Sequence, residues 1–148
     1  GGKMAVLSWR EKKSLNYPPL DDEHKNFLEK INQADEGLRL RDVNQMNMMF
    51  EACYDYVRNH FSHEEDIMER INYPELEEHI ASHQLFIKNI SSFRQKFEAA
   101  SGRGPKLEIA QKAMAFLSVW FLGHIISRDK PVKPYLTRLR NLPPRMNY

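Results

Sequence analysis

Apolar side chains recur along this chain at the three- and four-residue intervals of a helix, and no stretch shows the two-residue alternation of a strand. Phe27, Leu28, Ile31, Ala34 and Leu38 predict a first helix from Asp21 or Asp22 to about Leu40, with His24 in the same stripe. Asp42 is a good N-cap, and Val43, Met46, Phe50, Cys53, Tyr54, Val57 and Phe61 carry a second helix to about Ile71. Asn72-Tyr73-Pro74 interrupts the chain, and Pro74 suits the first turn of a third helix. That helix holds Leu76, Ile80, His83, Phe86, Ile87, Ile90, Phe93 and Phe97. Ala99 to Pro105, reading AASGRGP, predicts a loop before a fourth helix from about Lys106 to Ser127. Lys130-Pro131 ends or bends it, and Val132 to Leu142 predicts a short fifth helix. Met4 to Leu20, with Trp9 and the helix-resistant Tyr17-Pro18-Pro19, reads as an arm. The expected fold is all-α: an antiparallel up-down four-helix bundle with an N-terminal arm and a short C-terminal helix. Residues 4–148 form one domain in this reading, with the bundle over about 21–129, and Gly1-Gly2-Lys3 reads as a remnant ahead of a native Met4.

Composition narrows the class without naming it. With 148 residues, a chain of this size buries roughly 70% of the surface its unfolded form exposes, enough for a core. Apolar residues make up 41% and charged residues 28%, ordinary for a globular domain. The net charge of +2 is too small to argue for nucleic acid. The longest apolar run, Ala113 to Ile126, is broken by Ser118, Gly123 and His124 and falls short of the roughly 18 residues that span a bilayer. It reads as a buried helix, and no membrane partner is expected. The single Cys53 excludes an intramolecular disulfide and fits a reducing compartment; no signal-peptide pattern is legible, so the cytoplasm is expected. Near the C-terminus, Arg128, Lys130, Lys133, Arg138, Arg140 and Arg145 face one acid, Asp129. Such a segment is a solvated flank or a docking surface for an acidic protein partner.

The candidate chemistry lies in His24, His60 with Glu64, His79 with His83, and His124 with Asp129. His60/Glu64 and His79/His83 are spaced i and i+4, one turn apart on one helix face. His124 and Asp129 are five apart, roughly 140° around an ideal helix. That is awkward for two ligands of one ion, unless Asp129 spans two ions or the helix loosens ahead of Pro131. Taken singly, each piece is weak, because a lone histidine is usually a satisfied polar residue. Taken together, five histidines and two carboxylates buried without partners would cost several kcal/mol, so a metal centre is the better reading. Imidazole and carboxylate suit iron, zinc, copper or manganese. Seven ligands exceed one zinc site, His-Glu-x-x-His is absent, and so is the Glu-x-x-His of ferritin-like centres. A pair of six-coordinate irons remains.

The stretches Leu20-Asp21-Asp22-Glu23-His24-Lys25, His60-Phe61-Ser62-His63-Glu64-Glu65, Tyr73-Pro74 followed by His79 and His83, and Trp120 four residues before His124-Ile125 and ending in Asp129 resemble the hemerythrin family in its bacterial branch. The resemblance runs from about Trp9 to Tyr135 and fills all seven ligand positions. It implies that His79, His83 and His124 hold one iron and His24 and His60 the other. Glu64 and Asp129 would bridge both, with an oxo or hydroxo group as third bridge. One position then stays open on the iron of His24 and His60, where the family binds dioxygen. Phe61, Trp120, Phe121, Ile125 and Ile126 match the family's apolar oxygen pocket. Two departures stand out, neither expected to touch a ligand: Glu23 replaces the usual Gln before the first histidine, and the arm, which could alter ligand access, lacks the usual glycine-containing stretch. His63 is no family ligand and reads as surface or as support for a ligand, as does Glu65; Cys53 reads as a small apolar core residue. The implied function is reversible dioxygen binding for carriage, storage, delivery or sensing, not enzymatic turnover. The rivals are a di-iron redox enzyme acting on peroxide or nitric oxide, and a signalling module.

Overall fold

A computed structural model describes residues 14–141. The predicted arm up to residue 13 with Trp9, and Leu142 and Arg145 at the other end, lie outside the described residues. Helix α1 runs Pro18–Arg39, α2 Val43–Tyr56, α3 Ser62–Arg70, α4 Leu76–Ala99 and α5 Arg103–His124. One π-helical turn, Val57–Phe61, joins α2 to α3 without a break, and another, Ile125–Asp129, extends α5. A 3₁₀ segment, Lys130–Asn141, follows. Four antiparallel rods result, with α1 against α2 and α5, and α4 against α5.

Several boundaries differ from expectation for identifiable reasons. α1 starts at Pro18 rather than Asp21, because proline in the first helical turn gives up an N–H that has no partner there. Asp21 accepts hydrogen bonds from Ser14 Oγ (2.8 Å) and the Leu15 amide (2.9 Å), tying the preceding segment to α1. Pro74 sits in the turn ahead of α4 rather than inside it. α5 begins at Arg103, ahead of the expected Lys106. Asp42 caps α2 as predicted, accepting from the Asn44 amide at 3.0 Å. The predicted fifth helix is 3₁₀ rather than α; Pro131 and Pro134 cannot donate to an i→i−4 ladder, which leaves the tighter winding.

Tight turns set the rods close. α1 ends with Arg41 in the left-handed region, and the Asp42 amide returns to the Gly37 carbonyl at 2.8 Å. A Cβ on Gly37 would come within 2.3 Å of Gln45 Cβ, so the approach of α2 requires glycine there. Asn72 plays the left-handed role after α3.

Two apolar clusters fill the interior. The larger contains Phe27, Ile31, Phe50, Phe61, Phe86, Phe97, Leu117, Phe121 and Ile125. The smaller closes one end with Leu15, Leu20, Ile67, Met68, Ile71, Tyr73, Val132 and Leu136. Along α1 the order is Leu20, His24, Phe27; along α3 it is Phe61, Glu64, Ile67; at the end of α5 it is Ile125, Asp129, Val132. The seven candidate ligands therefore form a polar layer between two apolar ones. By length and composition the helical run Arg103–Leu139 passes for a membrane span, with a mean hydropathy of 1.4 in its most apolar window. Within that run Leu107, Ala110, Ala113, Met114 and Leu117 are buried in the bundle.

Candidate metal centre

All seven ligand candidates meet in that layer, each at most 4% exposed. Their donor atoms form two groups, each within 4.8 Å: Glu64, His79, His83 and His124, and His24, His60, Glu64 and Asp129. Both carboxylates reach both groups. Glu64 turns Oε1 toward His79, His83 (3.2 Å) and His124 (3.8 Å), and Oε2 toward His60 (3.0 Å) and His24 (3.8 Å). Asp129 sets Oδ1 3.0 Å from both His79 and His124, and Oδ2 3.1 Å from His24.

The π turns make this convergence possible. A π turn closes i→i+5 hydrogen bonds, so residues five apart stack as residues four apart do in an α-helix. Across Ile125–Asp129 this swings Asp129 onto the face of His124, cancelling the offset that the regular spacing implies. At Val57–Phe61 the widened turn lets the neighbours His60 and Phe61 both point inward, at 1% and 2% exposure. A loosened helix ahead of Pro131 was one of two sequence readings; the turn before His60 has no sequence signal beyond two adjacent interior residues.

Outer partners orient the imidazoles. His83 Nδ1 lies 2.8 Å from Glu65, His60 Nδ1 3.1 Å from Glu23, and His124 Nδ1 2.8 Å from Ser82 Oγ. With each Nδ1–H donating outward, each Nε2 keeps its lone pair for the interior. Glu65 thus supports His83. Glu23 is shared with His63, whose Nδ1 is 2.5 Å away, so His63 acts through Glu23 and is no member of either group. Burial raises the Glu23 pKa, but hydrogen bonds from His60 and His63 outweigh it and bring it down to about 2.

The layer is balanced for positive charge. Burial disfavours protonated His24 and His79, yet the Asp129 and Glu64 carboxylates prevail and raise both to about 10. His124 rises for the same reasons. Burial raises Glu64, but the His60 charge and histidine hydrogen bonds hold it well below its ordinary value. Asp129 is likewise low, because His124 and His24 overcome burial and the nearby Glu64 charge. Even so, the contacts of Glu64 Oε2, both Asp129 oxygens and His60 Nε2 at 3.0–3.1 Å lack hydrogen-bond geometry, and none of these buried atoms has a hydrogen bond among the described residues. Protons balance the charge of this donor set and leave its bonding incomplete. Five imidazoles and two carboxylates, all buried, fit a pair of metal ions.

Aromatic rings enclose the layer. Phe61 stacks on His83 (centroids 3.8 Å apart) and Trp120 on His124 (4.4 Å). Phe121 meets His24 edge-on at 6.2 Å, and Ile125 is 1% exposed. Ile126, expected in the same wall, is 47% exposed and does not belong to it; its neighbour Ile125 takes the inward position. Two wall residues escaped the sequence reading. Phe27 counted only as core and Tyr56 was not singled out, yet they stack on each other at 3.9 Å, and Tyr56 stacks on His60 at 4.5 Å. Their signal was spacing: Phe27 lies three residues after His24, and Tyr56 four before His60.

The profile described as Hemerythrin HHE cation binding domain matches residues 16–136. The chain belongs to the hemerythrin family. Hemerythrins bind dioxygen at a pair of irons. The chain is 29% identical to a bacteriohemerythrin of Pseudomonas aeruginosa over 126 residues, covering 85% of this chain and 78% of the relative. It is 26% identical to the bacteriohemerythrin of Methylococcus capsulatus, covering 90% and 99%. Hemerythrin subunit alpha of Lingula anatina is 25% identical over 83% of this chain and 89% of the relative. A crystal structure of a hemerythrin mutant superposes with a TM-score of 0.72 at 26% identity, covering 90% of this chain and 99% of the other.

Proposed function

We propose that this protein binds dioxygen reversibly at a non-haem di-iron centre and serves oxygen carriage, storage, delivery or sensing. The observation that carries the reading is the division of each buried carboxylate between two histidine groups. In this reading His79, His83 and His124 would hold one iron and His24 and His60 the other, with Glu64 and Asp129 shared between the two. Bound irons supply the electrons that dioxygen takes up on binding and returns on leaving. The chain's own residues fix the geometry and exclude water. Glu65, Glu23 and Ser82 hold three imidazoles in register, and Phe61, Trp120, Phe121 and Ile125 wall the centre. The buried thiol of Cys53, its pKa pushed up by burial, suits the reducing cytoplasm, where we place the protein.

The test is the visible spectrum of the iron-loaded, reduced protein before oxygen, after oxygen, and after oxygen removal. A charge-transfer band that appears with oxygen and vanishes on its removal is expected. Irreversible conversion to a ferric spectrum would replace binding by redox turnover on the same ligands.

A further inference from the structure

Tyr56 holds a polar atom that the described residues leave unused. The residue is 7% exposed, and its hydroxyl is buried with no hydrogen-bond partner among the described residues. A phenylalanine would make the same stacks without that cost. Buried polar groups in native folds find partners, so an orphan calls for an acceptor from outside the chain.

The surroundings indicate where that acceptor sits. Tyr56 and His60 flank the first residues of the π turn, and their rings are nearly parallel, 10° apart with centroids at 4.5 Å. Parallel rings from one helix point the same way. The phenol is the longer side chain, so its hydroxyl reaches at least the depth of His60 Nε2. Phe121 meets the Tyr56 ring at 6.3 Å and the His24 ring at 6.2 Å, which places Tyr56 on the His24/His60 side of the centre. On its outer side Tyr56 lines a surface cavity of about 200 Å³ together with Glu23, Phe27, Lys30, Asp55 and His60. The Tyr56 ring is thus a wall shared by the centre and a solvent-facing cavity. The phenol O–H is a hydrogen-bond donor.

We propose that the Tyr56 hydroxyl donates a hydrogen bond to the small, negatively polarised ligand bound on the His24/His60 side of the centre. The assignment rests on the di-iron reading above and adds a polar contact to an otherwise apolar pocket. Ligands of this class are dioxygen as it accepts electron density and small linear anions. The hydroxyl slows ligand escape, while Phe27, Phe61 and Phe121 supply shape.

Azide is the probe, added to the iron-loaded ferric parent and to Tyr56→Phe. The expected result is azide binding about tenfold weaker in Tyr56→Phe, with faster dissociation and a shifted azide-to-iron band. Iron content and the azide-free spectrum should match the parent, and the melting temperature should not fall. Equal azide affinity and an unshifted band in the two proteins would overturn the proposal. So would a Tyr56→Phe protein that loses iron or melts well below the parent, because the hydroxyl would then be structural. A parent that fails to load two irons sinks the di-iron reading and this assignment with it, a failure visible without the variant.

Discussion

Asp129 decides more than its position near the end of a helix suggests. Its two oxygens address opposite histidine groups, and both lack hydrogen bonds among the described residues. Glu64 has the same division of labour from the opposite rod. Removing either carboxylate leaves the imidazoles facing each other without a bridge; His83 Nε2 and His124 Nε2 are already 3.2 Å apart. Asp129→Ala and Glu64→Ala are each expected to lose the coupled pair, measured as iron per chain and by the spectrum of the ferric protein. Two irons with an unchanged spectrum in either variant would refute the bridging roles. The partner network was half legible. The sequence leaves Glu65 on solvent or on an unspecified histidine and gives Glu23 no contact with a ligand; the structure sets Glu65 on His83 and Glu23 on His60, through contacts between rods.

At the scale of elements, the two π turns matter most. One brings Asp129 onto the face of His124 and the other turns His60 and Phe61 inward together, and each replaces the α-helical ladder with a wider, rarer turn. Such turns are sustained by what they hold together. Hydrogen exchange is expected to show fast amide exchange at 57–61 and 125–129 in the metal-free protein. Iron loading should protect these turns more than the first two turns of α2. A uniform change across all helices would separate the π turns from metal binding. The C-terminal element shows a different balance. Arg138 donates to the Ile71 carbonyl at 3.0 Å and lies over Tyr135 at 4.8 Å, so one cation of the basic segment is engaged with its own chain.

The whole molecule couples folding to the charge of the central layer. His24 and His79 have folded pKa values of about 10 against an ordinary 6.5, so the metal-free fold binds their protons more tightly than the unfolded chain does. Their contribution is fully present below pH 6.5 and is lost as pH rises toward about 10. The melting temperature of the metal-free protein should therefore fall across that window. Metal binding requires the imidazoles to shed those protons, so affinity rises over the same window. The melting temperature of the iron-loaded protein should exceed that of the metal-free protein, by a margin that grows as pH rises from 6.5. Equal melting temperatures throughout would argue against a buried metal site.

Helix content was legible in the sequence because it is written in local spacing, the family was legible in motifs that resemble it, and the seven candidate ligands were named before the fold brought them into one layer. Apolar residues at helical intervals mark the rods, and paired ligands one turn apart mark the site. The π turns, the inward choice of Ile125 over Ile126, the sharing of Glu23 between His60 and His63, and the placement of Tyr56 belonged to the tertiary structure. Each depends on the distance and rotation between packed rods. A side-chain pattern with a tolerance of about one residue leaves that rotation open, and only close packing of the four rods selects it.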